Sequence, residues 1–202
     1  MKENVGIIRN IYMSDYAQKT DIELVKFSLE QADHFLYLMN RYEKQLLYYI
    51  RRISGLNLQD AEDLLQEVFV KTYYNLNGFD PKLKFSSWIY RIAHNQVVSE
   101  IRKIKARPLY YYEEQDLINI VNSLEVDNSV DKNILKDEIQ GFLANLDKKY
   151  REVLVLKYLE EKDYKEISDI LKKPIGTVGT LMNRAKKKLK EEILKNKMYE
   201  HK

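Results

Sequence analysis

Apolar residues recur at helical rather than alternating spacing along almost the whole chain. Between residues 21 and 53, Leu24, Phe27 and Ser28, and then Phe35, Leu38, Met39, Tyr42, Leu46, Tyr49, Ile50 and Ile53, recur at helical spacing. This spacing predicts two helices with a break near 31–34, the second ending at Gly55 and Asn57. Residues 60–77 give the cleanest amphipathic pattern. Ala61, Leu64, Leu65, Val68 and Phe69 lie on one face, Asp60, Asp63, Glu67 and Lys71 on another, and Asp60 is the expected N-cap. Asn77-Gly78-Phe79-Asp80-Pro81 is turn chemistry, so a loop is expected over 77–85 and a helix over about 86–105, with Trp88, Ile89, Ile92, Val97 and Ile101 as its recurrent apolar positions.

Residues 106–132 lose this periodicity and read as a linker. A second unit starts near 133. Ile134, Leu135, Ile139, Phe142, Leu143 and Leu146 make one helix, and Asp147 is the expected cap of the next, which carries Val153, Leu154, Leu156 and Tyr158. Asp163 and Glu166 form a capping box for a short helix ending at Leu171. Lys172-Lys173-Pro174 interrupts it, and a last helix covers about 175–193. No strand pattern is present. The fold class is therefore all-α, with two helical domains at 21–105 and 133–195, an N-terminal extension 1–20 expected to be disordered, the linker 106–132 and a tail 196–202.

Composition removes several classes of function. The chain has no Cys, and its three His (His34, His94 and His201) are far apart, so zinc sites, disulfides and Cys or His nucleophiles are not expected. His94 reads as a surface residue. The carboxylates at 60–67 have no phosphate-binding Gly-rich loop or nearby His, so the chain is read as not an enzyme, with no metal and no cofactor. No 18-residue apolar run and no signal-peptide pattern occur, which predicts a cytoplasmic protein without membrane insertion. Charge is divided unevenly. Residues 106–147 hold 3 basic and 9 acidic groups, a net of −6, whereas 148–202 hold 16 basic and 9 acidic groups, a net of +7. The basic end suits a polyanion, and the acidic middle would be repelled by one.

Residues 164–189 have helix-turn-helix spacing: Ile167, Ile170 and Leu171 on a short helix, a turn, then Val178, Leu181, Ala185 and Leu189 on a second helix with a basic tail. Such a second helix fits a major groove about 12 Å wide while the first crosses the backbone. Together with Asp60-Ala61-Glu62-Asp63-Leu64-Leu65-Gln66-Glu67-Val68-Phe69-Val70-Lys71, Phe85-Ser86-Ser87-Trp88-Ile89-Tyr90-Arg91, the stretch 146–156 and Gly176-Thr177-Val178, the span 21–195 resembles a group IV (extracytoplasmic-function) sigma factor of bacterial RNA polymerase, of the sigma-70 family.

The resemblance implies partners and sites. Asp60, Asp63, Gln66 and Glu67 would dock on the clamp coiled coil of core RNA polymerase, whose β and β′ subunits are the expected partners, together with promoter DNA. Phe79, Lys84, Phe85, Trp88, Arg91 and Asn95 would open and read the −10 element, capturing unstacked bases on aromatic rings. Trp88 has two readings, stacking platform or core. Thr177, Thr180, Asn183, Arg184, Lys186 and Lys187 would contact the −35 region. The linker would either thread the polymerase cleft or act as a free tether.

The recognition helix departs from the family in carrying Gly179, Thr180 and Leu181 where basic or polar readers are usual. Weak −35 reading follows, and with it a second expectation, that another DNA-targeting protein recruits the complex. An anti-sigma factor is a further possible partner. The competing reading is a stand-alone helix-turn-helix regulator that binds duplex DNA without polymerase.

Overall fold

The computed structural model describes Tyr16, residues 18–103, 115, 116, 120, 141, 143 and 146–200, with side chains as far as residue 191. The described residues form seven α-helices: α1 (Asp21–Glu30), α2 (Phe35–Ser54), α3 (Leu58–Tyr74), α4 (Phe85–Lys103), α5 (Lys148–Tyr158), α6 (Tyr164–Leu171) and α7 (Ile175–Glu200). Short 3₁₀ turns at Ala32–His34 and Leu76–Gly78 fill the expected breaks. No strand occurs among the described residues.

Helices α1 to α4 pack into one unit around Leu24, Leu38, Leu46, Ile50, Val68 and Ile89, all fully buried. The starts and stops are chemically explicit. Thr20 and Glu23 close a capping box on α1. Gly55, in the left-handed region at φ 72°, ends α2. The start of α3 differs from expectation, because Asn57 rather than Asp60 is the N-cap. Its side-chain oxygen accepts from the Asp60 backbone N–H at 2.9 Å. Capping there adds three residues to the start of the helix and leaves Asp60 at N3, where its carboxylate meets the positive end of the helix dipole.

Helices α5, α6 and α7 form the second unit. Asp163 and Glu166 make the expected capping box on α6. Asp147 stands at the N-cap position of α5, but its side chain makes no capping bond, a correction to the sequence reading. Helix α7 runs to Glu200, past the expected 193, because no Gly or Pro stops its basic, helix-forming tail. Val178, Met182, Ala185 and Leu189 bury its inner stripe. Helix α5 touches α2 as well as α6 and α7, and accordingly Val153, Leu154, Val155 and Leu156 are all fully buried, a ring rather than a stripe.

Tyr16 and 18–20 are placed against the fold: Tyr16 stacks on Tyr37 at 4.2 Å, and Arg41 donates to the Lys19 carbonyl at 2.7 Å. Disorder expected over 1–20 does not hold for these residues, and 1–15 lie outside the described ones. So do most of the linker and the helix expected over 134–146, of which residues 141 and 143 are helical.

Candidate functional site

Asp60, Asp63, Gln66 and Glu67 are exposed on the outward face of α3, as the periodicity requires, while Leu64, Leu65, Val68 and Phe69 face the core. Asp60 also accepts from the Asn57 side-chain amide at 2.9 Å. Glu67 is turned toward α4, where the amide of Gln96 donates to it, and the same amide group's oxygen accepts from the Lys71 ammonium. Beside these carboxylates runs a groove of about 800 Å³ between α2 and α3, lined by Leu36, Met39, Leu47, Phe69, Val70 and Tyr73, with Glu43, Glu62 and Gln66 among the polar groups. Its apolar lining was missed in the sequence. The signal is the row Glu62, Gln66, Val70, Tyr74 at i, i+4 spacing, in which Val70 (54% exposed) and Tyr74 (79% exposed) interrupt an otherwise polar face.

The candidates for the −10 region divide into two groups. Phe79, Phe85 and Trp88 are buried and packed on one another, with ring centroids 5.3–5.6 Å apart, and Tyr42 closes the cluster against Phe85 at 5.6 Å. At 7% exposure the Trp88 ring belongs to the core here, the second of its two readings. Lys84 and Asn95 are exposed and Arg91 is half-buried, the last two on the same helical stripe as Trp88. Lys84 is engaged by the other unit: its ammonium lies 3.5 Å from Asp163 and 3.4 Å from Glu166, and the Glu166 carboxylate holds it above its ordinary pKa.

On α7, Thr177, Thr180, Asn183, Arg184 and Lys187 all face solvent, opposite the buried stripe. Thr180 turns its hydroxyl back to the Gly176 carbonyl at 2.9 Å, and Lys187 pairs with Glu191 at 3.8 Å. Lys186 is half-buried, its ammonium 5.5 Å from the Tyr158 ring centre, so it braces α7 against α5 rather than extending with the others. The outward face thus presents hydroxyls, an amide and two cations to one side, the chemistry of a duplex-contacting helix.

His94 corrects the surface assignment. It is 8% exposed on α4, with Nδ1 3.1 Å from the Tyr49 hydroxyl and Nε2 3.7 Å from Glu152. Burial, with Lys148 and Lys173 nearby, pushes its pKa down to about 4, so the imidazole is neutral at pH 7. Burial also raises the Glu152 carboxyl, which Lys148 at 3.6 Å counters, and the ion pair here is Lys148–Glu152. No group of His, Asp or Glu with metal-binding geometry occurs among the described residues, and none of their helices is long and apolar enough to cross a membrane.

Comparison with known proteins matches residues 38–107 to sigma-70 region 2 and residues 136–189 to sigma-70 region 4. The chain is 35% identical over 170 residues to the ECF RNA polymerase sigma factor SigW of Bacillus subtilis (strain 168), covering 80% of this chain and 89% of that protein. Its fold is similar to CnrH, solved in complex with the cytosolic domain of CnrY, with a TM-score of 0.63 at 23% identity over 87% of this chain and 97% of that one. It is similar also to the sigma factor RpoE of Bartonella quintana, solved with the anti-sigma factor NepR, with a TM-score of 0.52 at 20% identity over 77% and 96% of the two chains.

Proposed function

The chain belongs to the ECF RNA polymerase sigma factors of the sigma-70 family, and from that premise we propose how its residues divide the work of delivering core RNA polymerase to promoters and starting transcription there. Asp63 and Gln66, with Asp60 and Glu67 beside them, form the polar part of the polymerase-docking face. The α2–α3 groove supplies the apolar part, suited to a helical partner that carries basic residues beside an apolar ridge. Lys84, Arg91 and Asn95 hold the −10 strand, and the cluster of Phe79, Phe85 and Trp88 sets the position of the loop that carries Lys84.

On α7, Thr177, Thr180, Asn183, Arg184 and Lys187 contact the −35 region. Arg184 is the only guanidinium among them, so sequence discrimination there is weak, since a bidentate Arg–guanine pair is worth about 1–3 kcal/mol. Recruitment by a separate DNA-targeting protein would supply the specificity this helix lacks. An anti-sigma protein is the other partner we assign. The chain itself carries no catalytic step, and we place it in the cytoplasm, where polymerase works.

The observation that carries this reading is the presence, in one chain, of two outward faces of opposite chemistry: carboxylates beside an apolar groove on α3, and hydroxyl, amide and basic groups on α7. Co-purification with core polymerase tests it. The wild type is expected to bind stably, and Asp63→Lys with Glu67→Lys to lose binding. Retained binding by the double variant moves the docking face elsewhere. A wild type that ignores polymerase yet binds a duplex site at nanomolar concentration returns the case to the stand-alone regulator.

A further inference from the structure

A buried charged junction joins the two units, and it lies outside every face assigned above. Arg52, in the last turn of α2, is 9% exposed. Its Nε and Nη2 donate to the two carboxylate oxygens of Asp116 at 2.9 and 2.6 Å, and Nη1 donates to Oε1 of Glu160 at 2.8 Å. The second oxygen of Glu160 accepts from the Tyr90 hydroxyl of α4 at 2.6 Å, and the Tyr90 ring lies 4.3 Å from the Lys162 ammonium. One planar guanidinium therefore fastens α2 to a residue from between the units and to the turn between α5 and α6. Burial opposes the Arg52 charge, but Glu160 and Asp116 outweigh it and hold the group cationic.

Partners 64 and 108 residues away cannot serve the local folding of α2. A buried ion pair also adds little net stability, because separation returns each charge to water. Such a junction specifies one arrangement while remaining easy to open. What the arrangement covers is equally specific. The capping-box carboxylates of α6, Asp163 and Glu166, sit on Lys84, and Ser86 Oγ donates to Glu166 at 3.5 Å. Carboxylates from the helix-turn-helix unit thus pair with the ammonium that the proposed function gives to a DNA phosphate. Helix α6, the one that crosses the DNA backbone in this motif, packs on α4, with Glu166 of its first turn half-buried against that helix.

We propose that Arg52, Asp116 and Glu160 form an intramolecular lock that holds the helix-turn-helix unit against α2 and α4, and that this lock must open before Lys84 can take a nucleic-acid phosphate. The nucleic-acid half of the statement rests on the sigma-factor reading; the lock itself does not.

The chain has no cysteine of its own, so a pair placed at Gln45 and Glu161, exposed residues lining one cleft between the units, reports closure by cross-linking with a short bis-maleimide. The full chain should cross-link within the molecule. Arg52→Gln, which leaves two buried carboxylates without their cation, should raise the open-to-closed ratio by roughly tenfold or more. Glu160→Gln, nearly isosteric, should act in the same direction, and it keeps the test in force if Arg52→Gln unfolds, as circular dichroism would reveal. Binding of a short oligothymidylate, read by anisotropy, should tighten several-fold in the variants, and adding Lys84→Gln should abolish the gain.

Equal cross-linking in wild type and Glu160→Gln overturns the lock. Lost cross-linking with unchanged oligonucleotide affinity overturns its inhibitory role. Core polymerase binding, measured on the same proteins, is expected to be unchanged because α3 stays open in the closed form. Its absence from the wild type would defeat the sigma-factor reading and leave the cross-linking result standing.

Discussion

Gly179 lies in the second turn of α7, half-buried, and a methyl group on its α-carbon would meet no atom within 4 Å. Packing therefore does not require glycine there, unlike Gly55, whose positive φ ends α2. A helical glycine costs about 1 kcal/mol relative to alanine, so Gly179→Ala should raise the unfolding free energy by about 0.5–1 kcal/mol in denaturant melts. A loss of stability would show that the helix backbone is held in a shape the alanine cannot adopt. Residues of this kind are legible in the sequence because their effect is local. The cap of α3 was less so: Asn57 and Asp60 are both good caps three positions apart, and only the direction of their mutual hydrogen bonds chooses between them.

Among the elements, α6 was readable in full because its two signals coincide. The Asp163–Glu166 box marks the start, and Ile167, Ile170 and Leu171 supply the buried stripe. The Glu166 backbone N–H holds the Asp163 carboxyl below its ordinary pKa. Asp163→Ala should cost about 1 kcal/mol of stability through the lost cap, while Lys84→Ala, which removes only an exposed ion pair, should cost a few tenths at most. Thermal melts of the two variants separate the roles, and equal losses would mean that the Lys84 contact carries structural weight. The faces that sequence reasoning missed share one cause. Tyr90 and His94 on α4, and Val155 on α5, are buried by elements far away in sequence, and helical periodicity reports only that a position has an apolar neighbourhood or lacks one. The run Val153-Leu154-Val155-Leu156 did contain the clue, since four consecutive apolar residues overfill a single stripe. The α3 and α7 outward faces, by contrast, follow directly from periodicity, and both are exposed as expected apart from the half-buried Lys186.

For the molecule as a whole, the packing of one unit on the other has a titratable witness. His94 of α4 is faced by Tyr49 from α2, by Lys148 and Glu152 from α5, and by Lys173 from the turn before α7. Its pKa of about 4 in the fold lies below the ordinary 6.5, so the unfolded chain takes up a proton that the folded chain refuses throughout that window. Stability contributed by the neutral imidazole is complete above pH 6.5 and is lost as pH falls toward 4. Glu152 and Glu160, whose carboxyls burial raises, act with the opposite sign, so the bare pH profile of the wild type mixes these effects. Subtracting a His94→Gln variant removes the mixture. The wild type's stability relative to that variant should fall by on the order of 3 kcal/mol between pH 7 and pH 4. A flat difference would mean that His94 is solvated at neutral pH, and hence that the two units do not rest on each other in solution. A falling difference would place the imidazole in the dry interface, where acid opens the same surface that the Arg52 junction closes.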